Sequence, residues 1–255
     1  MNALSNKTIL ITGASSGIGL ACAHRFATAG AQLLLCARRT DILNTLAQQL
    51  ASDYHAKTHV FHCDIRNQTQ MKNALDTLPD EWKTIDVLIN NAGLAAGIDT
   101  IQDSHTQDWE DMIDTNIKGL LYMTREILPQ MVARKSGHII NLCSISGHQI
   151  YPKGVVYCAT KHAVAALSLG LRMDLLGTHV RVSMVSPGAV ETEFSLVRLK
   201  GDETRAHAVY EGWNPLQADD IADAIFYCAT RPEHVNINEI IIMPTQQAAV
   251  GMIAK

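Results

Sequence analysis

Short apolar runs alternate with longer segments of helical period along the whole chain. The runs at 8–11, 32–37, 59–63, 86–89, 138–143, 180–185 and 239–243 are rich in Val, Ile and Leu. Near-continuous apolar character over so few residues is the pattern of strands buried on both faces. Between them, 17–29, 40–51, 68–78, 106–133, 155–176 and 218–229 repeat their apolar positions every three to four residues, as helices do. Only Pro129 interrupts one of these segments, and it should end or bend its helix. Strand followed by helix, repeated, predicts right-handed crossovers and one doubly wound α/β domain over 1–255, with about seven mainly parallel strands and helices on both faces. The stretch 187–215 breaks the pattern, being rich in charge and interrupted by Gly201 and Gly212. It is too long for an ordinary connection and reads as a lid.

Composition narrows the class. Hydrophobic residues make up 47% of the 255 positions but aromatic ones only 5%, so Ala, Val, Ile and Leu must fill the interior. A net charge of -4 offers no basic field for nucleic acid, which leaves a small molecule as the expected partner. The six cysteines are scattered without a C-x-x-C pair, as in a reducing cytosol. Residues 1–7 reach the first strand too soon for an export leader, and no apolar stretch has the length of a membrane span. The expectation is a soluble, cytoplasmic protein. The histidines have no metal-ligand spacing, so no metal is expected.

The first chemical signal follows the first strand. Thr12-Gly13-Ala14-Ser15-Ser16-Gly17-Ile18-Gly19 opens the first helix, where unpaired backbone N–H groups and the helix dipole favour a phosphate, the arrangement of a Rossmann-type dinucleotide site. A glycine-rich turn taken alone can also be purely structural. At the end of the second strand, where an acidic residue would hold a ribose 2′-hydroxyl, the chain reads Cys36-Ala37-Arg38-Arg39. Two guanidiniums without a carboxylate suit a 2′-phosphate, so NADP(H) is expected over NAD(H). Asp64, ending the third strand, is placed to contact adenine, to cap the next helix, or both.

The second signal is Ser144, Tyr157 and Lys161. Tyr and Lys four apart lie on one helix face. A free phenol, with a pKa near 10, is a poor base at neutral pH. A nearby ammonium and a cationic nicotinamide would favour the phenolate, letting Tyr157 exchange a proton while Ser144 polarises the substrate oxygen and Lys161 also holds the nicotinamide ribose.

These motifs, with Asn90-Asn91-Ala92-Gly93 and Pro187-Gly188 in the same order, resemble the short-chain dehydrogenase/reductase family over essentially the whole chain. The resemblance implies that Asn116 completes a catalytic tetrad by holding a water that relays protons to Lys161; a kink or cap residue is the plainer reading of the same asparagine. It implies too that Asn91 and Gly93 border the adenosine, that Thr192 bonds the nicotinamide carboxamide, and that Ile65, Ala92, Pro187, Gly188 and Val190 line the cofactor.

A narrower likeness runs through Asn91-Ala92-Gly93-Leu94-Ala95, the stretch from Asp108 to Asn116, Glu193-Phe194-Ser195 and His234-Val235-Asn236-Ile237-Asn238. It is similar to the NADP-dependent 3-hydroxy acid dehydrogenases, which implies small substrates such as serine, allo-threonine and 3-hydroxypropionate, and a homotetramer. A short hydroxy acid needs a fixed cation for its carboxylate, and Arg198 in the lid can supply a bidentate fork or else be a solvated surface residue. Lys153 is a second cation, and His148 and Tyr151 are expected to wall the pocket. Two other functions stay open: a reductase for larger ketones or 3-oxoacyl thioesters, which has no need of Arg198, and a cofactor-bound scaffold, which has no need of the full Ser144, Tyr157 and Lys161 set.

Overall fold

The computed structural model describes residues 4–255; residues 1–3, on which part of the leader argument falls, lie outside them. Its strands begin where the chain turns apolar: β1 (Thr8–Thr12), β2 (Gln32–Ala37), β3 (Thr58–His62), β4 (Val87–Asn90), β5 (Gly137–Leu142) and β6 (Val180–Pro187). Two short strands follow, β7 (Val190–Glu191) and β8 (Leu216–Gln217), then β9 (Glu239–Ile242) and a small hairpin of β10 (Gln247–Ala249) and β11 (Met252–Ile253). The helices are α1 (Gly17–Ala27), α2 (Thr40–Tyr54), α3 (Gln68–Asp76), α4 (Thr106–Ile113), α5 (Leu120–Arg134), α6 (Val155–Asp174), α7 (Phe194–Arg198), α8 (Glu203–Ala208) and α9 (Ala218–Ala229).

Seven strands form one sheet in the order β3-β2-β1-β4-β5-β6-β9, and every neighbouring pair is parallel. Alternate side chains serve two cores. Ile9, Ile11, Leu33 and Leu35 face the core closed by α1, α2 and α9, while Leu10, Leu34, Cys36 and Leu88 face the one closed by α3 and α5. This is the period of two of an extended chain. Strand order reverses beside β1, so the carboxyl ends of β1 and β4 open a crevice where ligands of such sheets bind.

Three expectations change. The single helix expected over 106–133 is α4, a π-helical turn at Asp114–Gly119, and α5. Gly119 lets that turn lie against Ile65, whose side chain a Cβ would meet at 2.6 Å. Of the two outcomes expected at Pro129, ending or bending, the first does not occur, since α5 runs on to Arg134 with Leu120, Met123, Ile127 and Met131 buried; packing of that face outweighs the one backbone bond proline removes. The irregular stretch 187–215 holds β7, α7 and α8. No helix among the described residues is long and apolar enough to cross a membrane.

Candidate active site

The glycine turn is built by cross-bracing between two strand ends. Thr12 Oγ1 donates to the Ile89 carbonyl at 3.2 Å and accepts the N–H groups of Asn91 and Ala92, each at 3.0 Å. The Asn91 amide returns the contact, donating to the carbonyls of Thr12 at 2.8 Å and Gly13 at 3.2 Å. Gly13 has φ +67°, and a Cβ there would come within 2.9 Å of the Ala92 backbone. At Gly19 a Cβ would run into the Gly13 carbonyl oxygen and the Asn91 amide. Only hydrogen fits at either place. Ser16 precedes α1 without capping it through its side chain, so the N–H groups of the first turn have no side-chain partner there.

Gly13, Ser15, Ser16, Gly17 and Ile18 form one wall of a cavity of about 350 Å³, and Ala37, Arg38 and Arg39 another, with Ile65, Asn91, Ala92 and Gly93 also lining it. Gly19 supports this wall from behind. Arg39 is held in place, its Nε donating to Ser15 Oγ at 3.3 Å and its Nη2 to Glu193 Oε2 at 3.1 Å. Arg38 makes no ion pair among the described residues. Asp64 departs from expectation. Its carboxylate is bound by the Arg66 guanidinium at 2.7 to 3.2 Å, and Arg66, not Asp64, lines the cavity. Arg66 bonding also holds the Asp64 carboxyl below the usual carboxylate range. The cap of α3 is Asn67, which accepts from the Gln70 N–H at 3.0 Å.

The catalytic candidates come from two elements. Ser144 follows β5 in extended conformation, its Oγ accepting the Ser146 N–H at 3.1 Å. Tyr157 and Lys161 lie one turn apart on α6, and all three are buried. Lys161 Nζ donates to the Leu142 carbonyl at 3.0 Å and lies 6.0 Å from the centre of the Tyr157 ring. Tyr157 packs with Ala95 and Met112, and its ring centre is 5.6 Å from that of Phe194. In the chain alone this apolar setting works against ionisation. Burial pushes the Tyr157 phenol above its ordinary range, with the Ser144 hydroxyl acting in the opposite direction, and burial lowers Lys161. Removing water penalises phenolate and ammonium alike.

Asn116 sits in the π-helical turn, 2% exposed. Its amide nitrogen donates to the Leu94 carbonyl at 2.8 Å and to Thr160 Oγ1 at 3.0 Å, and its oxygen accepts the Leu94 N–H at 2.9 Å. Both amide hydrogens fasten the loop after β4 to α6. Its place in the π-helical turn fits the kink reading and leaves the water-relay role untouched.

A second cavity, about 590 Å³, is lined by Ser144, Tyr157 and Lys161 and by Pro187, Gly188, Val190 and Thr192. It shares Ile18, Asn91, Gly93, Leu142, Thr192 and Phe194 with the first, making one continuous cleft. Arg198 reaches this cavity from α7. Its Nε donates to the Gly97 carbonyl at 3.2 Å, its guanidinium lies 5.3 Å from the Tyr151 ring centre, and it makes no ion pair among the described residues. Tyr151 walls the cavity as expected. His148 does not, being drawn away to Glu239 at 2.6 Å. Lys153 lines only a small side recess.

Sequence reasoning missed Arg205, Tyr210 and Gln247, all at the cavity wall, and Glu193 in the cofactor cleft. Gln247 Oε1 accepts the Ala189 N–H at 2.8 Å, which draws the C-terminal hairpin over the cleft. Nothing in their local sequence marks them, because tertiary folding alone brings them there.

The sequence pattern described as short chain dehydrogenase matches residues 7–201. The chain belongs to this family. It is 45% identical over 241 residues to sulfoacetaldehyde reductase 2 of Chromohalobacter salexigens, covering 94% of this chain and 95% of that one. It is 44% identical over 245 residues to an NADP-dependent 3-hydroxy acid dehydrogenase of Salmonella typhi, covering 96% and 97%. The closed form of a serine dehydrogenase complexed with NADP+ superposes with a TM-score of 0.91 at 42% identity, covering 97% of this chain and 99% of that structure. The chain is therefore an oxidoreductase of the short-chain type, as its motifs imply.

Proposed function

We propose that this short-chain dehydrogenase uses NADP(H) to interconvert a small 3-hydroxy acid and its oxo acid or semialdehyde. The residues fit the dinucleotide: two glycines where a Cβ would collide, an uncapped α1 N-terminus, and two arginines in place of an acidic residue at the end of β2. When bound, the nicotinamide accepts or gives the hydride. Tyr157 takes the hydroxyl proton in oxidation and returns it in reduction, Ser144 holds the substrate oxygen, and Lys161 binds the ribose beside them. Asn116 acts as a positioning residue, through the loop and helix it joins.

The observation that carries the reading is a single cleft in which Ser144 and Tyr157 share a cavity with the unpaired guanidinium of Arg198. A carboxylate substrate anchored there would present its hydroxyl carbon toward the phenol, with 187–215 acting as lid and excluding water. A sulfonate would be held by the same fork, which brings sulfoacetaldehyde within the substrate class. The test is a panel of serine, allo-threonine, 3-hydroxypropionate, 3-hydroxybutyrate and neutral alcohols, followed by absorbance of reduced nicotinamide. Arg198→Ala should raise KM for the acids by about ten- to a hundredfold, the loss of a charge-assisted bond, and spare the neutral alcohols. An unchanged preference removes the clamp.

The same reading makes the enzyme a cytoplasmic homotetramer. Six buried, unpaired cysteines fit a reducing compartment, and exposed Leu169, Met173 and Leu176 around the end of α6 fit a subunit contact. Sedimentation should give four chains per particle; a monomer at micromolar concentration would overturn this.

A further inference from the structure

Arg39 has two charged claims on it. In the folded chain its Nη2 is paired with Glu193, which stands immediately before α7 and lines the same cavity as Ser15, Arg38 and Arg39. Both side chains of the pair are about half exposed, at 45% and 51%. Such a pair contributes little to stability and is screened by salt, so an incoming anion can displace it. The Ser15 bond at Nε fixes the guanidinium plane while Nη2 meets the carboxylate.

We propose that Glu193 is a specificity-determining residue for the cofactor: an internal anion that occupies Arg39 in competition with a 2′-phosphate and sets how tightly that phosphate is held. This rests on the reading of Arg39 as the 2′-phosphate reader. Arg38 and Arg39 supply two positive charges to the rim, and Glu193 cancels one. A phosphate carrying close to two negative charges meets repulsion from Glu193 that a bare 2′-hydroxyl does not. The carboxylate therefore narrows the preference for NADP(H) over NAD(H) and eases release of the phosphorylated form.

The experiment is calorimetric titration of the full chain with adenosine 2′,5′-bisphosphate and with adenosine 5′-monophosphate. Glu193→Gln should tighten the bisphosphate by about three- to tenfold at low salt, leave the monophosphate within about twofold, and lose its gain as salt is raised. Glu193→Lys should enlarge the gain. In an Arg39→Ala background the gain from Glu193→Gln should shrink to the part due to direct repulsion, because the competition for Arg39 has gone; a gain as large as in the parent would show that Glu193 does not act through Arg39. If Glu193→Gln leaves bisphosphate binding unchanged or weakens it while Arg39→Ala still erases the preference for bisphosphate, Glu193 is no competitor and the Arg39 reading stands. If Arg39→Ala leaves the preference intact, the Arg39 reading fails and the proposal with it.

Discussion

Tyr157→Phe should lower turnover by about two to four orders of magnitude, the span general acid–base catalysis supplies, with NADP(H) binding within a few-fold of the parent. The change removes one oxygen and keeps the ring that packs on Phe194, Ala95 and Met112, so the fold and the cofactor cleft should persist. The titration of this phenol also fixes the sign of the pH dependence. Oxidation requires the deprotonated form, and burial raises the phenol's pKa, so the oxidation rate should climb with pH on the alkaline side. Reduction requires the protonated form and should fall over the same window. Cofactor charge and Lys161 move the midpoint down, but they cannot invert the two slopes. Steady-state rates in both directions, with cofactor binding by fluorescence, check this; near-normal turnover in the Phe variant, or slopes of the opposite sign, would remove Tyr157 as acid and base.

Gly19→Ala should abolish measurable cofactor binding and cost about 1–3 kcal/mol of stability, the range for forcing extra volume into a packed site. The added Cβ meets the Gly13 carbonyl oxygen and the Asn91 amide. These two groups are bonded to each other, and Asn91 also holds Thr12, so neither can yield without opening the turn that receives the phosphates. Gly170→Ala on α6 is the matching control, since nothing lies within 4 Å of its Cβ position. There the change should be neutral or stabilise by up to about 1 kcal/mol, as alanine does in a helix interior. Thermal unfolding and cofactor titration of both variants distinguish the cases, and an intact cofactor site in Gly19→Ala would show the turn to be looser than its contacts imply.

The candidate site was legible in the sequence wherever its chemistry is carried by one element or by a turn between two. Tyr157 and Lys161 share a face because they are four apart on one helix, and the glycines announce a turn that any side chain would block. Asp64 and His148 were less legible for a common reason. Each is a polar side chain whose partner lies elsewhere: Arg66 takes Asp64 and Glu239 takes His148. Which partner wins depends on distances that only the packed chain defines. The Tyr157 phenol shows the same limit, since spacing reveals the nearby ammonium but not the depth of burial that raises the phenol's pKa.

By itself the sequence determined the doubly wound sheet, its seven strands to within about two residues at each end, and the phosphate-binding turn between the first strand and the first helix. Those features follow from local periodicity and from turn chemistry, which neighbouring residues encode directly. Only the tertiary structure decided that α5 continues through Pro129, that a π-helical turn interrupts the helix at Asn116, and that Glu193 reaches Arg39 while Gln247 closes over Ala189. Each of these depends on groups far apart in the chain competing for the same space or the same hydrogen bond, and the outcome of such a competition is set by packing.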